Sequence, residues 1–488
     1  MLKELIFKEI FEDVKDYKFV LLIIFSITII PLSLYLSGSN YVLKQQKYET
    51  DHTDYISLAE GNISWNFIAE GYRPPFIENI LADRSTSLLP YKVSTSNTGI
   101  YTTENENATN DPLTILFGNL DFPYLVSYIL SLFALFASYD LVNREREAGT
   151  LKLMLANSVP RHKILIAKLS GNYFVFIIPV ILGILIGLLL IQIKGINILS
   201  SQFVGTLGFT LLITLLFIFV FFNIGILFSV YIRQSSTAIV ILLFIWLFAI
   251  IIIPQGGPII TRFIFPVMTE STLLNEKEML IQSYHKEFMN EGKKLTRATF
   301  PGLSHDEIER IINNRRDNKV VMDNYDQEME VIANMIEEKK KSTMQGLEKS
   351  YLNQQLHQNS IIKNLCRISP MSSFQFTLNE ITKTGYSQIT NFYDQAARFQ
   401  DQVTRDIYNK FIFKYYYISP NENDYAVLKF DNTVEGFDRR KAPIPTFEYQ
   451  PPSLMVTIQS SWIDVALLIV YGMLSFVFAY FRFINMQI

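Results

Sequence analysis

Asn143-Arg-Glu-Arg-Glu-Ala-Gly-Thr-Leu-Lys-Leu-Met-Leu-Ala-Asn-Ser-Val-Pro-Arg-His-Lys-Ile-Leu-Ile-Ala-Lys168 is a short charged segment held between two apolar runs, residues 122–142 and 169–193. Each run is long enough to cross a hydrocarbon layer of about 30 Å as a helix. Working outward, four more runs of the same kind appear at 19–36, 203–231, 236–254 and 462–483. A buried soluble helix could explain one of them, but six in a chain that is 49% hydrophobic specify an α-helical polytopic membrane protein.

Orientation follows from Lys and Arg in the short connections. Lys3, Lys8, Lys15 and Lys18 precede the first run, and Arg144, Arg146, Lys152, Arg161, Lys163 and Lys168 fill the second connection. Arg233 follows the fourth run and Arg482 ends the sixth. Six spans put all four regions on one side, expected to be the cytoplasmic side of a bacterial inner (plasma) membrane, with both termini cytoplasmic. Met1 to Lys18 mixes basic and acidic residues and has no Ala-x-Ala-like site after its apolar run, so it reads as retained rather than as a cleaved signal.

Residues 1–18 carry Leu2, Leu5, Ile6, Ile10, Val14 and Tyr17 at three- and four-residue spacing, the pattern of an interfacial amphipathic helix. Residues 37–121 form an outer loop domain without sustained periodicity. Residues 255–461 form a larger outer domain, expected to be a largely helical stalk between spans five and six. Ser304 with Glu307 predicts a capping box, and the pattern beyond it predicts one helix to about Arg367. Met322, Tyr325, Met329, Ile332 and Ile336 predict a coiled-coil-like seam, continued after a phase slip by Met344, Leu347, Tyr351, Ile361 and Leu365. Ser369-Pro370 breaks the chain, helical spacing resumes from Ser372, and 411–417 and 425–430 are β-prone around a turn at 419–424.

Several chemistries are excluded or disfavoured. A net charge of -3 without a basic region points to no nucleic-acid partner. One cysteine, Cys366, permits no intrachain disulfide and no cysteine metal cluster, and it reads as a buried thiol. The five histidines show no metal-ligand spacing, and the outer methionines are better explained by helix packing than by copper contact. There is no Gly-x-x-x-x-Gly-Lys-Ser/Thr loop, so any ATP and Mg must be bound by a partner. Asn172, Gln192, Asn223, Asp140 and Asp464 fall near span ends or on single faces, where interfacial water is expected to reach them, and none is assigned a proton role. No catalytic constellation is present, and the chain reads as a non-enzyme without a cofactor of its own.

Residues 143–168 remain. An ordinary positive-inside loop explains the basic residues but not their order. Gly149-Thr150-Leu151 breaks and restarts a helix, Leu151, Met154 and Leu155 follow helical spacing, and Val159-Pro160-Arg161 turns the chain into a second helix. Glu147-Ala-Gly149-Thr150-Leu151, then Pro160-Arg161-His-Lys-Ile164 and Lys168, resembles the coupling segment of ABC-2 type ABC transporter permeases. It lies between the second and third of six spans, and Lys8-Glu9 on the N-terminal helix is also similar to that family. The enlarged last outer loop, with Arg367-Ile-Ser-Pro370 and a Pro-rich approach to the sixth span, resembles a bacterial subgroup that includes multicopper-enzyme-maturation and gliding-type permeases.

The resemblance implies a permease half that couples ATP hydrolysis by two copies of a separate ABC ATPase to export, paired with a second permease as a homo- or heterodimer. Its ATPase-coupling residues would be Glu145, Glu147, Gly149, Thr150, Leu151, Pro160, Arg161 and Lys168. Two other readings stay open: mechanotransmission to an extracytoplasmic protein partner without transport, and a non-ABC membrane scaffold. The sequence names no substrate-binding residue.

Overall fold

The structure is a computed structural model, and it describes residues 2–64, 67–82, 90–96, 99–103, 121–156, 159–314, 319–418 and 426–486. A short helix α1 (Leu2–Val14) leads into α2 (Tyr17–Ala59), with the Asp16 carboxylate accepting from the Lys18 amide as its cap. Where the sequence predicted loop from residue 37, α2 continues to Ala59 as a polar helix. Side chains at four-residue intervals support that extension, as Gln45 with Glu49 shows.

The second span, α3, begins as Phe122–Tyr124, widens into a π-helical stretch Leu125–Leu130 and finishes as Ser131–Ser138. Two short helices follow, α4 (Asn143–Glu147) and α5 (Thr150–Ala156). The next two spans are α6 (Arg161–Ile193) and α7 (Ser201–Tyr231). The fifth, α8, runs from Ser235 to Ile264 with a π-helical stretch Phe248–Ile252, and the last is α14 (Leu454–Ile484). Among the described residues, six helices are therefore long and apolar enough to cross a membrane.

Small residues set how closely these helices approach. Gly183 and Gly187 on α6 lie against α2: a Cβ at Gly187 would come within 2.6 Å of Leu34 Cδ1, and one at Gly183 would overlap the Ser26 carbonyl. Gly225 on α7 has the same relation to Ser138 on α3.

Beyond the fifth span, α9 (Glu270–Thr299), α10 (His305–Asn313) and α11 (Lys319–Cys366) build an antiparallel hairpin. The Ser304–Glu307 capping box is formed, and Met322, Tyr325, Met329 and Ile336 are buried along the seam. Lys277–Glu348 (2.5 Å) and Lys339–Glu287 (2.7 Å) fix the register. Near its end α11 packs on α8 instead of α9, so the buried positions become Ile362 and Cys366, while the predicted Leu365 is exposed.

The chain then turns back among the spans. Ser369 caps α12 (Pro370–Ile381), accepting from the amides of Met371 and Ser372. Met371, Phe374, Leu378 and Ile381 join the main apolar core, and Phe374 stacks on Phe217 of α7 at 4.4 Å. The π-helical turn in α8 leaves the Ala249 carbonyl free to accept from the Ser369 hydroxyl, about 20 Å along the helix from Ser235 at ~1.5 Å per residue. The region between spans five and six is thus more than a stalk, because its middle re-enters the bundle.

Outside the bundle, α13 (Tyr386–Asp406) packs through Phe392, Phe399 and Val403 on an antiparallel sheet of β1 (Ala69–Tyr72), β2 (Lys92–Ser96) and β3 (Gly99–Thr103), with Phe447 and Tyr449 between. A second antiparallel pair, β4 (Phe411–Ile418) and β5 (Ala426–Thr433), occupies the β-prone stretches. The turn expected at 419–424 lies outside the described residues.

Candidate coupling interface

Residues 143–168 hold the helix ends together at one end of the bundle. The Arg146 guanidinium donates to the carbonyls of Val230 and Ile232, both at 3.2 Å, satisfying the last turn of α7. Glu147 Oε1 accepts from the Ser235 amide at 2.8 Å, placing a carboxylate at the positive start of α8. Arg161 Nη1 donates to the carbonyls of Ile484 (2.6 Å) and Met486 (2.9 Å) at the end of α14. One segment is therefore tied to three spans besides its own two neighbours.

A fourth tie reaches α1. Lys168 Nζ lies 2.7 Å from Glu145 Oε1, 3.2 Å from Glu9 Oε1 and 3.3 Å from Glu9 Oε2. The side chains of Lys168 and Glu9 are only 3% and 4% exposed. One ammonium thus serves two carboxylates from α1 and α4. Gly171, one turn further along α6, admits α1 to this depth, since a Cβ there would lie 2.8 Å from Glu9 Cβ and 3.2 Å from the Ile6 carbonyl. The opposite face of α1 shows Phe7, Phe11 and Val14 to the surroundings, as an interfacial helix requires.

Seven of the eight residues singled out from the sequence divide into two groups, with Pro160 between them. Glu145, Leu151, Arg161 and Lys168 point into the protein: Leu151 joins the core and the other three make the ties just described. Glu147, Gly149 and Thr150 lie on the exposed side, with Gly149 at φ 74°, a left-handed turn that suits glycine. Thr150 Oγ1 donates to the Glu145 carbonyl at 3.3 Å, and Pro160 precedes the first turn of α6. Outward with them stand Lys152 and Leu153, the latter 69% exposed on α5.

Sequence reading missed the depth of Glu9, although it sits three residues after Ile6 and four after Leu5 on the apolar stripe. It also missed Arg146, whose carbonyl partners lie more than eighty residues away. Nearby, Lys18–Asp140 (2.8 Å) and Arg144–Asp16 (3.3 Å) close the junction of α1 and α2 against α3. Asp140 was expected to meet interfacial water, and it is instead neutralised by Lys18 within the protein.

Asp464 departs further from that expectation. It is fully buried on α14, where Arg367 holds it from two nitrogens at 2.7 and 3.1 Å and Lys363 approaches to 3.5 Å. No cluster of His, Cys, Asp or Glu among the described residues is arranged to hold a metal. The arrangement at residues 143–168 joins the ends of several helices through polar contacts.

A family model described as an ABC-2 family transporter protein matches residues 4–488. No curated protein matches the chain. Permeases of that family are generally non-catalytic membrane components that work with ABC ATPase partners. With six apolar helices and a match over nearly its whole length, the chain belongs to the ABC-2 family of transporter proteins and is a multi-pass membrane protein.

Proposed function

We propose that this chain is the permease subunit of an ABC transporter, driven by two copies of a separate ATPase that bind ATP and Mg and press on residues 143–168. The observation that carries the reading is that this segment reaches the middle of α1 and the ends of α7, α8 and α14 through named polar contacts. A push on α5 would be delivered to four helices at once. The exposed face from Glu147 to Leu153 is the docking surface, and Glu145, Arg161 and Lys168 transmit the load. In this reading the helix ends at residues 143–168 face the cytoplasm of a bacterial inner membrane, both termini are cytoplasmic, and the permease works as a homo- or heterodimer exporting a substrate the chain does not name.

Mechanotransmission is a second reading favoured by a specific contact set. The hairpin is fastened to the spans through Arg367 to Asp464, the Tyr471 hydroxyl to the Arg367 carbonyl at 2.6 Å, and Gln358 Nε2 to the Phe265 carbonyl at 2.6 Å. Motion of α8 and α14 would therefore swing α9–α11, where an extracytoplasmic partner could meet it.

Co-purification from native membranes in mild detergent tests the proposal. Wild-type protein is expected to bring down a P-loop ATPase in stoichiometric amount. Leu153→Asp, which places a charge at the exposed apolar tip, is expected to lower the recovery about tenfold or more at an unchanged melting temperature, as for loss of a contact hot spot. Equal recovery with Leu153→Asp would remove α5 from the contact, and no ATPase with wild type would favour a membrane scaffold. A substrate that stimulates ATPase turnover in reconstituted vesicles would separate export from mechanotransmission.

A further inference from the structure

Between α1, α2, α3 and α6 lies a cavity of about 310 Å³. Its body is apolar, walled by Leu22, Phe133, Phe136 and Phe176. Its mouth is charged, and the charges do not balance. Lys18 is paired with Asp140 and Arg144 with Asp16, which leaves Asp13 as the carboxylate on the cavity wall without a close ion pair among the described residues. The volume is at the small end of the range for small-molecule sites, ~300–1,000 Å³, enough for a headgroup and the beginning of a chain but not for a folded peptide. Phe136, Leu21 and Tyr17 are exposed beside it, so the cavity opens sideways at the level of the interfacial helix.

We propose that this cavity seats one phospholipid bearing a primary ammonium group, drawn from the leaflet at this end of the bundle. The ammonium sits on Asp13, the phosphate faces Arg144, and an acyl chain lies along Phe133 and Phe136. Two features select this headgroup. The unmatched carboxylate disfavours a lipid of net negative charge. A primary ammonium donates hydrogen bonds to a carboxylate, whereas a quaternary one has no N–H to give. Arg144 is half exposed and spends one of its N–H groups on Asp16, so it has donors left for a phosphate. The seat lies under α1, whose Glu9 is a tie of the coupling interface, so a bound lipid would brace α1 against α3 and α6. The inference does not depend on the ATPase assignment.

The electrostatics of Asp13 give the seat a pH dependence. Burial first, then the neighbouring Glu9 and Asp16, push its carboxyl up to about 7 against the opposing pull of Arg144 and Lys168. Lys18 and Asp140 complete the charged groups at the mouth. Protonation removes the charge that holds the ammonium, so selectivity is expected above the pKa and lost below it.

Native mass spectrometry of the purified full chain, titrated with dioleoyl phosphatidylethanolamine, phosphatidylcholine and phosphatidylglycerol, tests the proposal. Wild type is expected to retain the ethanolamine lipid about tenfold more tightly than the choline lipid, one charge-assisted hydrogen bond's worth, with the glycerol lipid weakest. Asp13→Asn should abolish the preference without abolishing lipid retention, and Ala137→Trp should fill the cavity and release all three. Taking wild type from about pH 8 to about pH 5.5 should erase the same preference, a readout that holds even if a variant does not fold. Equal retention of the three lipids by wild type, or a preference that survives Asp13→Asn or low pH, would overturn the proposal.

Discussion

Lys168→Met is expected to release α1 from the bundle and, under the proposed coupling role, to separate the ATPase from the spans. Lys168 is the cation that joins Glu9 to Glu145, and the Lys168 and Glu9 side chains have almost no contact with solvent. Taking away one partner of a buried ionic cluster costs about 3–5 kcal/mol, because the charges left behind are neither hydrated nor paired. Here two carboxylates are left, on different helices, and they repel. Methionine keeps the volume, so packing loss is small and the cost is electrostatic. Limited proteolysis should cut residues 2–18 rapidly in the variant and slowly in wild type, and a co-purified ATPase should lose its response to the permease. Adding Glu9→Gln should restore part of the stability, since it removes one of the stranded charges. Unchanged protection of α1 in Lys168→Met would show that apolar contacts alone hold it.

Asp464→Asn is expected to have a comparable effect at the other end of the molecule. The carboxylate is fully buried and answers two cations, Arg367 from two nitrogens and Lys363 at 3.5 Å. Asparagine preserves the shape and strands both positive charges in an apolar bundle, again at about 3–5 kcal/mol. The turn Arg367–Ser369 would then leave its place, taking α12 and the foot of α11 with it. Cys366 reports this directly. It is the chain's single cysteine, is buried against the Ile253 and Pro254 carbonyls, and should react slowly with a thiol reagent in wild type. Labelling at least tenfold faster is expected in Asp464→Asn, with partial recovery on adding Arg367→Gln; slow labelling in the single variant would contradict the account.

Local signals in the sequence were legible and long-range ones were not. The six apolar runs, the Ser304–Glu307 box and the Met322, Tyr325, Met329 and Ile336 seam each depend on residues a few positions apart. Chain continuity alone brings those residues together. Arg367 and Asp464 are 97 positions apart, and Lys383 and Glu78, a buried pair at 2.9 Å, are 305 apart. Nothing in either neighbourhood names the partner.

The seam failed at Leu365 because α11 changes neighbour, from α9 to α8, and periodicity does not say which face meets which helix. Phe374, Leu378 and Ile381 were visible as helical spacing after Pro370, but their burial among the spans follows from the stack on Phe217 and the Ser369 contact to the Ala249 carbonyl. At residues 143–168 the order of residues gave the helix break at Gly149 and the fresh start at Arg161. Which side chains face inward was settled by helix ends that only the fold assembles.

A photo-crosslinking residue placed at Leu153 and activated in native membranes puts the central claim to its most direct test. One principal adduct, carrying a P-loop ATPase, is expected to form in wild type and to be sharply reduced when Lys168→Met is introduced. Adducts with lipid alone, or with a protein lacking a nucleotide-binding loop, would contradict it.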